Sequence, residues 1–323
     1  MRDRFNRKID YLRISLTDNC NLRCIYCMEE DSNNFYKKED KLTTEEICKV
    51  VTESAKLGIK KIRFTGGEPL VYPDILNLVK RVNKIEGIEG IYLTTNGILL
   101  ERYLKDFYEN GVKGVNISLD SLKKDKFKEI TRGGDINKVL SSIEKALEFG
   151  IKVKVNTVLI KEINEEEILD FVNFTKYNDV DVRFIELMPI GIGSTYKGVT
   201  RNEIENKINE NYEKTKVLAN KSYEGPAKYI RVENNKGRVG FISPISNCFC
   251  DECNRIRLTS QGFLKECLHF NYGIDLKKLM RNGATENEIN LAIRKAIFEK
   301  PEKHVFLEKN KDKDLKFMNQ IGG

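Results

Sequence analysis

Between residues 11 and 187 the sequence alternates, six times over, a short β-type run with an amphipathic stretch. The strand-like runs are YLRISL (11–16), KKIRFT (60–65), GIYLTT (90–95), KGVNISL (113–119), KVKVNTVL (152–159) and DVRFIEL (181–187). The first intervening stretch carries a helix-start signal, Thr43 with Glu46, then the apolar face Ile47, Val50 and Val51, and a stop at Gly58. Comparable patterns occupy about 73–85, 99–110, 136–149 and 165–177, with Gly111 and Gly150 at helix ends. Strand alternating with helix requires a parallel sheet joined by right-handed crossovers. Six units predict an α/β fold of the incomplete (β/α)6-barrel type, with an open doubly wound sheet as the alternative. Past residue 190 the rhythm breaks. A helical stretch at 200–213 precedes GRVGFIS, a cysteine-rich loop, a hairpin turning at Gln261 and Gly262, and a helix opened by Thr285 and Glu288. The division expected is therefore a barrel core, 1–190, and a C-terminal region, 191–323.

The chemistry-bearing residues recur after successive strands. Cys20, Cys24 and Cys27 follow the first, TGGEP (65–69) the second, TTNG (94–97) the third, SLDS (118–121) the fourth and ELMP (186–189) the sixth. Ligands of parallel α/β folds collect at the carboxyl ends of strands, so the five motifs point to one shared site. The first connection, residues 17 to 42, far exceeds the roughly 2–6 residues usual for such units. Its three thiols suit a metal centre. Structural zinc takes four protein ligands and no fourth lies nearby, Cys48 falling on the apolar side of the next helix. A four-iron cluster on three thiolates would keep one iron open. The second group is Cys248, Cys250, Cys253 and Cys267, with His269 just beyond, and its spacing fits zinc and iron–sulfur equally.

Cations inside strands add a further constraint. Lys61, Arg63 and Thr65 alternate onto one face, as do Lys152, Lys154 and Asn156, and Arg13 and Arg183 also lie mid-strand. A lumen lined by them would hold a polyanion such as a triphosphate; at strand ends they would simply be solvated. The excess of basic residues, 56 Lys plus Arg against 49 Asp plus Glu, is mild and spread over the chain. It fits an anionic small substrate or a weak nucleic-acid surface without choosing between them, and lacks the dense basic tract of a dedicated nucleic-acid binder. No apolar run approaches the ~20 residues of a membrane span, and the start, MRDRFNRKID, is too charged for a secretory signal. A cytoplasmic location is expected, where eight cysteines stay reduced and serve metal or redox chemistry.

Together these features resemble the radical S-adenosylmethionine enzymes and, more closely, the GTP 3′,8-cyclases of molybdenum-cofactor biosynthesis, over essentially the whole chain. C-x3-C-x2-C with Tyr26 before the last cysteine, and GGEP, carry the wider likeness. RISLTDNCNLRC, RFTGGEPL, FCDECNRIRLTSQGFLKECL and the terminal Gly322 and Gly323 carry the narrower one. The resemblance implies an incomplete radical S-adenosylmethionine barrel with a C-terminal cluster-binding extension. It implies a [4Fe–4S] cluster on Cys20, Cys24 and Cys27 and a second on Cys250, Cys253 and Cys267, facing guanine. Tyr26, Gly66, Gly67, Glu68, Ser118 and Met188 would contact S-adenosylmethionine. Arg13, Lys61, Arg63, Thr94, Lys154, Arg183, Arg255, Ile256, Arg257, Gly322 and Gly323 would contact GTP, with Arg13, Arg255 and Arg257 guiding the radical steps. A 5′-deoxyadenosyl radical would take H3′ of GTP, and C3′ would attack C8 to give 3′,8-cyclo-7,8-dihydro-GTP. A homodimer, an external electron donor and a downstream cyclic pyranopterin monophosphate synthase are implied partners. Cys248 departs from the three-ligand pattern; a fourth thiolate would close the second site to guanine. A peptide-modifying radical enzyme has no use for NRIRL or the glycine tail, and a non-catalytic metalloprotein, either an electron carrier or a zinc-stabilised nucleic-acid binder, draws only weak support from the interleaved Lys and Tyr of 221–231.

Overall fold

A computed structural model describes every residue except 34, 220–224, 307, 309–315 and 323. The strands are β1 (Tyr11–Ser15), β2 (Lys61–Thr65), β3 (Gly90–Thr95), β4 (Val112–Ser118), β5 (Lys152–Val158), β6 (Asp181–Ile185), β7 (Thr215–Val217), β8 (Lys228–Val232), β9 (Val239–Ile242), β10 (Arg255–Leu258), β11 (Phe263–Lys265) and β12 (Gly273–Asp275). The helices are α1 (Thr44–Lys56), α2 (Ile75–Val82), α3 (Leu104–Glu109), α4 (Lys124–Thr131), α5 (Ile136–Glu148), α6 (Ile168–Tyr177), α7 (Arg201–Asn211), α8 (Leu276–Arg281), α9 (Glu286–Glu299) and α10 (Met318–Ile321). All strands join one sheet in the order β12-β11-β10-β1-β2-β3-β4-β5-β6-β9-β8-β7.

The six alternating units form β1 to β6, each parallel to the next. The C-terminal region extends this array at both edges, β10 pairing parallel to β1 and β9 parallel to β6. The hairpin expected around Gly262 is present as β10–β11, and Gly262 takes φ +80° to turn it. The end strands β12 and β7 do not meet, so the barrel is open.

Strand residues alternate between two environments. Leu12, Ile14, Ile62, Phe64, Ile91, Leu93, Ile117 and Val155 are buried against Ile47, Val51, Leu78, Val79 and Val139 of the helical layer. Each such side chain contributes about 1.5–3 kcal/mol on burial. The opposite face is polar because it encloses a lumen instead of a second helical layer. Reciprocal caps start three helices: Thr43 with Glu46, Thr285 with Glu288 and, without having been foreseen, Thr200 with Glu203. Helix α4 was also unforeseen; it is short and strongly polar, and ends at Arg132 in a left-handed conformation, φ 53°.

Candidate active site

The inward residues enclose a cavity of about 460 Å³. Strand register lays them out in rows. Arg257, Arg13, Arg63, Tyr92, Gly114 and Lys152 are successive partners across β10, β1, β2, β3, β4 and β5. A second row runs Thr94, Asn116, Lys154 and Asp181, and a third Ser118, Asn156 and Arg183. Among the described lining residues, nine basic side chains face three acidic ones, so the cavity suits an anion.

Many of these cations are held rigidly. Arg63 Nη1 donates to Leu93 O at 2.7 Å and its Nε to the Tyr11 hydroxyl, with the guanidinium over the Tyr92 ring at 5.2 Å. Arg183 Nη2 donates to Asn156 Oδ1 at 2.5 Å. Lys154 Nζ donates to the Tyr229 hydroxyl at 3.1 Å and stands 3.6 Å from Asp181. Burial, then Arg183, lowers the Lys154 ammonium to about 8. Burial and neighbouring guanidinium groups depress Arg13 well below its ordinary value, and burial with Arg255 brings Arg257 to about 10. A bound polyanion relieves both costs.

At the carboxyl end of β1, Cys20, Cys24 and Cys27 line the cavity on a loop braced by Arg23 N to Thr131 O, 3.1 Å, and Ile25 N to Ile130 O, 3.0 Å. Gly67 N donates to Thr17 O at 2.7 Å and Glu68 N to Asn19 O at 2.8 Å. A Cβ on Gly67 would stand 2.3 Å from Asn19 O, so only glycine allows this approach. The buried Glu68 carboxylate accepts from Thr95 Oγ1 and Asn96 N, each at 2.7 Å, and burial raises it to about 7. Tyr26 donates to Asp120 at 2.7 Å, and burial raises Asp120 to about 6. Burial likewise lifts Cys20 to about 11 and Cys27 to about 12; Cys24 rises well above its ordinary value, Cys27 adding to the effect of burial.

At the other end, Cys250, Cys253 and Cys267 line the same cavity. Their loop is tied to the start of the chain by Arg7, which donates to Cys250 O and Glu302 O, both 2.8 Å, and to Pro301 O, 2.7 Å. Burial opposes ionisation of Cys253, yet Arg255 and Lys300 outweigh it and bring the thiol to about 6. Neither triad is gathered tightly enough for a single ion. Among the described residues, the only group of three or more Cys, His, Asp or Glu whose ligand atoms all lie within 4.8 Å of one another is Cys248, Cys250 and His304.

The structure thus brings together Arg13, Lys61, Arg63, Thr94, Lys154, Arg183, Arg255 and Arg257 with Tyr26, Gly66, Gly67, Glu68, Ser118, Met188 and six cysteines. The Ile256 side chain is not among those that line the cavity. It alternates away from its arginine neighbours, is fully buried and packs in the helical layer. Gly322 O accepts from Arg257 Nη1 at 2.7 Å, and its φ of +79° beside Ser15 and Thr65 favours glycine; Gly323 lies outside the described residues. Sequence reasoning reached Asp120 only as part of the SLDS motif and passed over Tyr92, Lys300 and His304 as site residues. Strand alternation could have signalled Tyr92, two residues before Thr94, whereas nothing local marks Lys300 or His304. His269, weighed as a zinc ligand, is buried against Phe270 and Phe306, with ring centroids 4.7 and 4.5 Å away.

The radical SAM superfamily model matches residues 14–175, and the Molybdenum Cofactor Synthesis C model matches 180–306. A GTP 3′,8-cyclase of Clostridium perfringens (strain SM101 / Type A) is 56% identical over 326 residues, covering 100% of both chains. One from Alkaliphilus metalliredigens (strain QYMF) is 46% identical over 329 residues with the same coverage. The chain belongs to the GTP 3′,8-cyclase family of radical SAM enzymes. Among solved structures, Streptococcus suis SuiB bound to precursor peptide SuiA shares the fold at TM-score 0.63 and 14% identity, over 92% of this chain and 66% of that one. SuiB bound to S-adenosylmethionine gives 0.59 and 15%, over 80% and 60%, so this chain spans well under two thirds of that neighbour.

As a family member the cyclase uses S-adenosylmethionine and a [4Fe–4S] cluster. The donor set on the β1 loop fits that group: three thiols, more widely spaced than for one ion, beside an open cavity. Burial keeps these thiols neutral until a cationic iron centre stabilises the thiolates. No helix among the described residues is long and apolar enough to cross a membrane.

Proposed function

We propose that the chain converts GTP to 3′,8-cyclo-7,8-dihydro-GTP, the first step of molybdenum-cofactor biosynthesis, with one [4Fe–4S] cluster on Cys20, Cys24 and Cys27 and a second on Cys250, Cys253 and Cys267. The observation that carries this is the placement of the two triads at opposite ends of one basic cavity. Cys253 precedes Arg255, the partner of Tyr11 at the amino end of β1, whereas Cys20 follows its carboxyl end. Five strand residues separate the two levels, roughly 15 Å at strand rise. A nucleoside triphosphate spans such a distance.

When bound, the first cluster and S-adenosylmethionine supply the one-electron chemistry that yields a 5′-deoxyadenosyl radical, the agent that removes hydrogen from C3′ of GTP. Tyr26, the Gly66 to Glu68 segment, Ser118 and Met188 seat S-adenosylmethionine. Arg13, Arg255 and Arg257 hold the triphosphate and keep it in place while C3′ and C8 join. Lys61, Arg63, Thr94, Lys154 and Arg183 complete the wall, which excludes water from reactive intermediates. Gly322 acts by its carbonyl, which holds the Arg257 guanidinium in position. No side chain is assigned as a general base. An external reductant supplies electrons, a cyclic pyranopterin monophosphate synthase consumes the product, and the chain works as a cytoplasmic homodimer.

The test uses anaerobically reconstituted, reduced protein with S-adenosylmethionine and GTP deuterated at C3′. Deuterium in the 5′-deoxyadenosine is the expected outcome. Unlabelled 5′-deoxyadenosine removes C3′ of GTP as the target.

A further inference from the structure

Cys248 and His304 have no part in the chemistry proposed above, yet with Cys250 they form a compact ligand group. The three ligating atoms lie within 4.8 Å of one another. Two thiolates on one tetrahedral ion stand about 3.8 Å apart, given metal–sulfur bonds of about 2.3 Å, so a shift of about 1 Å gathers them. Thiolates on different irons of a cluster are spread more widely, as in the two triads.

The imidazole is already set for ligation. His304 Nε2 lies 2.7 Å from Pro244 O, and because a carbonyl only accepts, Nε2 carries the proton. Nδ1 therefore keeps its lone pair; it is buried and has no hydrogen-bond partner. A carbonyl-anchored N–H opposite a free ring nitrogen is how metal-bound histidines are oriented.

The group lies between the substrate cavity and a second opening. Cys250 and His304 face the central cavity, whereas the exposed Cys248 opens on an outer pocket of about 190 Å³ with Asp251 and Glu252 in its wall.

We propose that, before the second cluster is assembled, the protein holds one soft divalent cation of the zinc class on Cys248 Sγ, Cys250 Sγ and His304 Nδ1, with water completing the tetrahedron. The thiol protons leave to solvent as the metal binds. Cys250 cannot serve this ion and a cluster together, so the two states exclude each other. Cys248 is then the residue that protects the unassembled site without closing the assembled one. The cation site rests on its own three side chains; only the exclusion draws on Cys250 as a cluster ligand.

Cobalt(II) is the probe, titrated anaerobically into full-length, cluster-free protein carrying Cys20→Ala, Cys24→Ala and Cys27→Ala to remove competing thiols. One ion per chain is expected, with thiolate charge-transfer absorption and tetrahedral d–d intensity. Cys248→Ser and His304→Ala each weaken binding at least about tenfold, whereas Cys253→Ser leaves it within about twofold. The exposed position of Cys248 makes its variant the decisive one should His304→Ala fold poorly. Binding weakened by Cys253→Ser but untouched by Cys248→Ser overturns the assignment, as does no uptake at all. With the first triad intact, zinc added during cluster assembly lowers iron uptake by about half in the parent and not in Cys248→Ser. Equal iron loss in both overturns the exclusion. Iron lost in Cys253→Ser without zinc tests the cluster reading separately.

Discussion

The two cysteine triads share one cavity but sit in different electrostatic surroundings. The first lies on a single loop beside the buried acids Glu68 and Asp120, and burial raises all three of its thiols. The second is divided between a loop and the end of a hairpin, among Arg255, Arg257 and Lys300; Cys253 is drawn down to about 6, while burial raises Cys250 to about 12. The sheet therefore carries a gradient, acidic at the carboxyl end of β1 and basic at its amino end. A sulfonium cation suits the first end and a triphosphate the second.

The largest expected effects separate the ends outright. Cys24→Ala and Cys253→Ala should each lower cyclised product by about 10³-fold or more. The first should also abolish 5′-deoxyadenosine formation, while the second retains it uncoupled from product, read by mass spectrometry. Identical behaviour of the two variants would break the comparison. Next, Arg257→Ala should weaken GTP binding about 10–100-fold through loss of charge-assisted hydrogen bonds, leaving S-adenosylmethionine affinity unchanged in calorimetry. Parallel loss of both ligands would mean that the ends are not independent.

Acidity sharpens the contrast further. Lys154 is held near 8, below the ordinary lysine value, so its charge is present below that pH and lost above it. GTP affinity should fall as pH rises through about 8, and Lys154→Arg should flatten that limb. At the first end, Gly67→Ala drives a Cβ to 2.3 Å from Asn19 O and should cost about 1–3 kcal/mol, seen as a lower Tm and poorer iron retention. Thr285→Ala should cost only about 1 kcal/mol through its cap on α9, with turnover preserved.

What the sequence disclosed was local. Strand periodicity and the Thr43 and Thr285 caps located the βα units because each signal spans a few residues. The inward cations Lys61, Arg63 and Lys154 were legible because alternation assigns a face without knowledge of a partner. The placement of β9 and β10 was not legible, since no local pattern announces that residue 255 will pair with residue 11. The motif NRIRL reads as a unit, although the pleat divides its side chains between lumen and core, sending that of Ile256 to the core. His304 escaped notice because its ligands are set by spatial neighbours 54 and 56 positions upstream, Cys250 and Cys248.

The pairing of β10 with β1 also dictates an order of events during synthesis. Tyr11 emerges early from the ribosome, but its partner Arg255 follows about 240 residues later, roughly 12–50 s at ordinary elongation rates. Throughout that interval β1 is a bare edge, and the first cysteine loop hangs from a sheet that lacks its basic wall. Arg7 likewise waits for residues 300–302 before it can brace the second loop. Nascent chains should thus present unprotected thiols at the first loop well before a nucleotide pocket exists.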